Sequence, residues 1–157
     1  MEARIEFTEV SPGVLRAMRG LQAYVDECGL EHSLLHLVKL RASQINGCAY
    51  CIDMHTKDAR AGGDTEQRLY MLSAWRESPF YSVRERAALA WTEIVTRVAE
   101  TNVPDEDYVE ARSHFSESEL VNLTMAIVAI NGWNRLCVSF RAVPGNYQPP
   151  RLKAAAS

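Results

Sequence analysis

The sequence predicts an all-α fold, a single-domain helical bundle, on three observations. Apolar residues recur at three- and four-residue spacing along most of the chain. No stretch alternates convincingly with period two, as a half-buried strand would. Glycine, proline and Ser-x-x-Glu patterns punctuate the periodic runs, as helix starts and stops do.

The elements follow in order. Ser11-Pro12 has the form of an N-cap with proline at the first helical position, and Val14, Leu15, Met18, Leu21 and Val25 then recur at helical spacing up to Gly29. A second helix is expected from Glu31 to Ile45, with Leu34, Leu37, Val38, Ala42 and Ile45 as its apolar stripe. Asn46-Gly47 interrupts it, since both residues tolerate left-handed backbone. A third helix is expected from about Cys48 to Arg60, closed by Gly62-Gly63. Thr65 can cap a fourth, carrying Leu69, Leu72 and Trp75 before Pro79 breaks the pattern. Ser82 with Glu85 has capping-box spacing and opens a long helix from Val83 to Ala99. A shorter helix is expected from Asp105 to about Phe115. Ser116 with Glu119 repeats the capping box ahead of a final apolar helix through Leu120, Leu123, Ile127 and Ile130. From Pro144 the chain is expected to be an extended tail, 144–157, with its alanine-rich end mobile.

Composition narrows the classes of function. With 157 residues the chain has the length of one domain and can bury a core without covalent staples. A formal charge of −3 provides no basic field, which argues against nucleic acid as a partner. No run approaches the roughly 18 apolar residues of a membrane span. The acidic start Met1-Glu2-Ala3-Arg4-Ile5-Glu6 lacks the layout of a signal peptide, so a cytoplasmic protein is expected. In a reducing compartment the four cysteines, Cys28, Cys48, Cys51 and Cys137, do not read as a disulfide framework. Cys28 and Cys137 stand singly in apolar-periodic stretches and read as small core residues. The close pair reads as chemistry.

Cys48, Cys51 and His55 lie at i, i+3 and i+7. At about 100° per residue, seven steps return within about 20° of the start, so the three side chains share one helix face. Cys48 and Cys51 are one turn apart, a spacing that permits an intrahelical disulfide, and His55 is at i+4 from Cys51, within reach of its sulfur. The free N–H groups of a helix start favour a thiolate at Cys48, whereas His55 as acid–base partner favours Cys51. Sequence leaves the choice between the two sulfurs open. Tyr50 and Met54 read as packing residues, and Asp53 as a solvated carboxylate pointing away from the reactive face.

The stretch Leu40-Arg41-Ala42-Ser43-Gln44-Ile45-Asn46-Gly47-Cys48-Ala49-Tyr50-Cys51, continuing through His55 to Ala59, resembles the alkylhydroperoxidase D-like branch of the carboxymuconolactone decarboxylase superfamily. The motif match spans about 35–63, within a motif core of about 35–100. The likeness of helical layout extends over most of the chain, including Trp75-Arg76 and Trp91-Thr92. The resemblance implies an all-α bundle with the Cys-x-x-Cys at the N-terminus of a central helix, assembled as a homotrimer or homohexamer. It also implies a thiol redox cycle, that of a thiol-dependent peroxidase or disulfide oxidoreductase, and no cofactor or metal is expected. Cys51 would attack a hydroperoxide, Cys48 would resolve the sulfenic acid as a disulfide, and an external dithiol or reductase would restore both.

The chain departs from that pattern at one point. Members of the family usually carry a relay glutamate twelve residues before the first cysteine, and here the residue is His36. A second imidazole can pass a proton but adds no fixed negative charge. Four residues, Cys51, Cys48, His55 and His36, are therefore the expected site. The same four would make a Cys2His2 ligand set for zinc, although ligands along one helix face rarely wrap a tetrahedron. A non-catalytic redox sensor would use the same thiols without turnover. The superfamily's lactone decarboxylation would leave the cysteine pair without a task, since that reaction does not require one.

Overall fold

The computed structural model describes residues 1–149, and the expectation for the alanine-rich end lies outside the described residues. The described chain is all-helical, in the order α1 (Phe7–Val10), α2 (Pro12–Glu27), α3 (His32–Ile45), α4 (Ala49–Ala61), α5 (Glu66–Met71), a 3-10 helix (Leu72–Glu77), α6 (Val83–Thr96), α7 (Val98–Thr101), α8 (Asp105–His114) and α9 (Glu117–Phe140). Both capping boxes form, with Ser82 and Glu85 opening α6 and Ser116 and Glu119 opening α9. Pro12 occupies the first turn of α2, and the Thr65 side chain accepts from the Arg68 N–H at the start of α5.

Three details differ from the sequence reading. The expected Val83–Ala99 helix stops at Thr96, and after Arg97 at φ −103° a separate single turn forms α7. The fourth expected helix tightens at Leu72 into 3-10 geometry, with a kink at Ala74. α1 has no counterpart in the sequence reading, because four residues are too few to display a helical period.

α3 organises the molecule. It packs against α4, α6 and α9, and buries Leu34, Leu35, Leu37, Val38, Leu40 and Ala42. A helix buried on most of its faces belongs in the centre of a bundle, which is why its buried positions, Lys39 and Ser43 among them, overrun a single stripe. One core cluster joins α2, α3, α6, α8 and α9 around Val25, Leu35, Trp91, Phe115 and Ile127. A second joins α3, α4, α5 and α6 around Leu37, Leu40, Leu69, Leu72 and Trp75. A third, smaller cluster holds Ala42, Cys48, Cys51, Ile130 and Cys137.

Trp75 and Trp91 are core residues of their own chain. Trp75 Nε1 donates to Glu93 Oε1 at 2.8 Å, and the same buried carboxylate takes Arg41 at 2.8 Å and Arg76 at 2.5 Å. Glu93 thereby ties α3, the 3-10 helix and α6 together with its charge paired, as a buried carboxylate must be. Trp91 Nε1 donates to Thr124 Oγ1 at 2.9 Å, linking α6 to α9. No helix of the described residues is long and apolar enough to cross a membrane.

Candidate active site

The turn between α3 and α4 sets the position of the cysteines. Asn46 remains right-handed, with φ −81°, and Gly47 alone takes the left-handed conformation, at φ +64°. The Asn46 amide then donates to Asn131 Oδ1 at 3.0 Å and Asn134 Oδ1 at 2.9 Å, fastening the turn to α9. Asn134, almost fully buried, passes the network to Ser43 Oγ at 3.1 Å. Cys48 follows as the N-cap of α4, with φ −84° and ψ 92°, and its sulfur accepts the Cys51 N–H at 3.4 Å.

The structure adds a third sulfur. Cys137 on α9 faces the pair, and the Sγ atoms of Cys48, Cys51 and Cys137 all lie within 4.8 Å of one another. All three are buried and all four cysteines of the chain are free thiols. The expectation that Cys137 is a core residue holds for its burial but misses this neighbourhood. Cys28 is half-buried and packs beside the largest core cluster.

Electrostatics separates the two sulfurs that sequence left equivalent. Hydrogen bonds from the Cys137 thiol and then the Cys51 thiol, with the Cys51 N–H and Asn134, lower Cys48 well below an ordinary thiol despite its burial. Cys51 is pushed up by its hydrogen bonds with Cys137 and Cys48 and by burial, and Cys137 is pushed up first by its hydrogen bond with Cys48. These contacts favour a thiolate at Cys48 over the other two sulfurs. Access is arranged the other way: Cys51 lines a cavity of about 890 Å³ together with Tyr50, Met54, His55, Trp133 and Cys137, and Cys48 does not line it.

His55, also buried, lines the same cavity, and its Nδ1 stands 3.5 Å from Asp58 Oδ2, one turn on along α4. The other Asp58 oxygen accepts the Tyr147 hydroxyl at 2.6 Å. Burial pushes the Asp58 carboxyl up, but the His55 imidazole 3.5 Å away and the Tyr147 hydroxyl outweigh it and leave the group below the usual carboxylate range. His36, from α3, reaches this cavity too. Burial first, then Lys39, lower its imidazole below an ordinary histidine, while Asp58 pulls the other way and His55 and His32 add to the lowering. The buried Nδ1 atoms of both His36 and His55 find no hydrogen-bond partner among the described residues.

The four expected residues thus divide. Cys51, His55 and His36 share the cavity, with Cys48 directly behind Cys51. They do not gather as a Cys2His2 ligand set, because the two imidazoles lie outside the cluster of ligand atoms and Cys137 occupies the third place. Asp53 is also corrected: it accepts Lys57 Nζ at 2.9 Å and the Gly145 N–H at 3.1 Å. Lys57 further donates to the carbonyls of Gly145 at 3.0 Å and Tyr147 at 3.1 Å, so a clip on α4 holds the C-terminal segment that delivers Tyr147. Asp58, Tyr147 and Cys137 escape sequence reasoning. Asp58 carries a usable signal, a carboxylate at i+3 from His55.

Comparison with known proteins agrees with this architecture. Residues 12–93 match the model of the carboxymuconolactone decarboxylase family. The chain is 42% identical over 139 residues to the uncharacterized protein YdfG of Bacillus subtilis (strain 168), covering 88% of this chain and 95% of that one. It is 48% identical, with a TM-score of 0.90, to the crystal structure of ATU0492 from Agrobacterium tumefaciens, covering 93% of this chain and 100% of that one. That protein is of unknown function and provisionally described as an antioxidant defence protein, AhpD. A peroxidase-related protein from Ralstonia eutropha JMP134, described as an alkylhydroperoxidase AhpD core, shares the fold at a TM-score of 0.78 and 17% identity, over 88% of this chain and 74% of that one. The chain belongs to the carboxymuconolactone decarboxylase family, with the fold of its AhpD-like members.

Proposed function

We propose that this protein is a thiol peroxidase that reduces hydroperoxides with Cys51 and is reset through a Cys48–Cys51 disulfide. The observation that carries the reading is the division of labour between the sulfurs: Cys51 opens on the cavity beside His55, while Cys48 lies behind it within 4.8 Å. His55 takes the Cys51 proton, and the Asp58 carboxylate steadies the imidazole as it gains charge. The Cys51 thiolate attacks the distal peroxide oxygen, the O–O bond breaks, and the leaving alkoxide departs as alcohol with a proton returned by His55. The Cys48 thiolate then attacks the Cys51 sulfenic acid, expelling hydroxide and forming the disulfide. An external dithiol supplies the two electrons that restore both thiols.

The cavity favours a substrate larger than hydrogen peroxide. Its volume of about 890 Å³ suits a small organic molecule, and Phe7, Leu15, Tyr50, Met54 and Trp133 give it apolar walls. An organic hydroperoxide would leave its apolar part against these residues and its peroxide group at Cys51.

Stopped-flow oxidation by cumene hydroperoxide and by hydrogen peroxide tests the reading, combined with steady-state turnover in excess dithiol. Wild type and Cys48→Ser should consume one peroxide rapidly, with the variant trapped as a sulfenic acid at Cys51, and Cys51→Ser should be inert. Rapid oxidation of Cys51→Ser, or wild-type oxidation without turnover, would overturn the proposal.

A further inference from the structure

The sequence offers a pair of cysteines, but the fold makes a triad. The sulfurs come from the N-cap of α4, from its first turn and from α9, so they converge on one point from two helices rather than along a single face. Their mutual separation of at most 4.8 Å is short enough for one soft atom to engage all three after small side-chain rotations. Among the described residues no carboxylate or imidazole joins the group, which makes the donor set purely thiol. Such a set selects thiophilic ions.

Burial then selects the charge. Cys48, Cys51 and Cys137 are 1%, 3% and 6% exposed. The polar partners next to them, Asn134 and Ser43, are neutral. A net charge in such a place is costly, and even the single thiolate favoured at Cys48 is held there only by several hydrogen bonds. Three thiolates around a monovalent ion would leave a charge of −2 and around a divalent ion −1, whereas a trivalent centre leaves none. Trivalent arsenic also prefers three ligands, with a lone pair in place of a fourth, so three sulfurs complete its coordination.

We propose that Cys48, Cys51 and Cys137 form a binding site for trivalent arsenic, taken up as neutral arsenous acid through the cavity that Cys51 and Cys137 line. Three As–O bonds break and three As–S bonds form; the Cys51 and Cys137 protons leave with two hydroxyls as water, the Cys48 thiolate displaces the third as hydroxide, and no oxidation state changes. The buried product is neutral. The site does not depend on the peroxidase reading, but occupation would silence both thiols that reading uses.

The test is titration of the fully reduced protein with sodium arsenite, followed by sulfur-to-arsenic charge-transfer absorbance and native mass spectrometry. Wild type should bind one arsenic with loss of three hydrogens and no retained hydroxyl, and Cys28→Ser should behave identically. Cys137→Ser should keep one hydroxyl on arsenic and bind at least about tenfold more weakly, because a tethered third thiol adds an intramolecular bond. Undiminished affinity in Cys137→Ser, or a retained hydroxyl in wild type, would overturn the triad. Should Cys137→Ser fail to fold, X-ray absorption of the wild-type complex decides: three sulfur neighbours support the site, and two sulfurs with one oxygen refute it. Arsenite binding is read without peroxide, so its outcome is independent of peroxidase turnover.

Discussion

Tyr147 and Asp58 are 89 residues apart in sequence, yet a hydroxyl–carboxylate hydrogen bond of 2.6 Å joins them in the wall of the candidate site's cavity. The bond orients Asp58 so that its second oxygen stands 3.5 Å from His55 Nδ1. A carboxylate is thereby present beside the imidazole although position 36 holds histidine.

This arrangement predicts a graded response to removal of its parts. Asp58→Asn should slow the reaction of Cys51 with peroxide by about tenfold or more, the lower end of what positioned acid–base groups contribute. Tyr147→Phe should have a smaller effect on rate and cost about 1 kcal/mol of stability, the net worth of one hydrogen bond. Stopped-flow rates across pH distinguish positioning from structural damage. Asp58→Asn should alter the shape of the profile, whereas loss of fold would only lower its amplitude.

His36 should respond to pH in the sense set by its lowered imidazole. Above the ordinary value of 6.5 neither the folded nor the unfolded protein protonates it, so it has no effect on stability there. As pH falls below 6.5 the unfolded chain takes up the proton and the folded site resists, so stability declines down to the folded value. Urea unfolding of wild type and His36→Ala at pH 7.5 and pH 5.5 should show a steeper loss on acidification in wild type. The groups bearing on this imidazole are Lys39, Asp58, His55 and His32. In activity, His36→Glu should raise the rate at Cys51 by adding a second carboxylate to the relay, and His36→Ala should lower it or flatten the pH profile. Identical rate–pH curves for the three proteins would make His36 a packing residue.

The thiolate should titrate at Cys48. Its lowered value means that thiolate persists as pH falls below the range of a free cysteine, and is lost only near the depressed folded value. Ultraviolet thiolate absorbance should survive to mildly acid pH in wild type and Cys51→Ser and disappear in Cys48→Ser. Mild peroxide should then yield a disulfide mapped to Cys48 and Cys51, and a bond involving Cys28 instead would contradict the proposed cycle.

Assembly into a trimer or hexamer is proposed from the family resemblance. Trp75 and Trp91 are buried within the chain, whereas Phe80 is 38% exposed and is the aromatic candidate for such an interface. Light scattering at micromolar concentration should report the trimer or hexamer mass, and a monomer would contradict it.

The helical fold was legible because its signals are local. Capping boxes, Pro12 and Gly47 act within a turn of themselves, and the apolar period of α3 and α9 is a property of contiguous residues. The break at Arg97 and the 3-10 turn at Leu72–Glu77 were less legible, since both depend on packing that overrides a continuing pattern.

The site divides along the same line. The sequence by itself determined that Cys48, Cys51 and His55 share a face of one helix, because spacing on a helix is fixed by its pitch. It also determined that the pair stands at a helix start, and it marked His36 as a departure. Only the tertiary structure decided which sulfur its surroundings favour as thiolate and which meets the cavity, because those properties come from groups that approach across the fold: Cys137 and Asn134 from α9, and the walls built by α2, α9 and the C-terminal segment. The same holds for the site's carboxylate, which is Asp58 held by Tyr147. A hydrogen bond spanning 89 residues leaves no periodic trace in the chain, since it is created by folding alone.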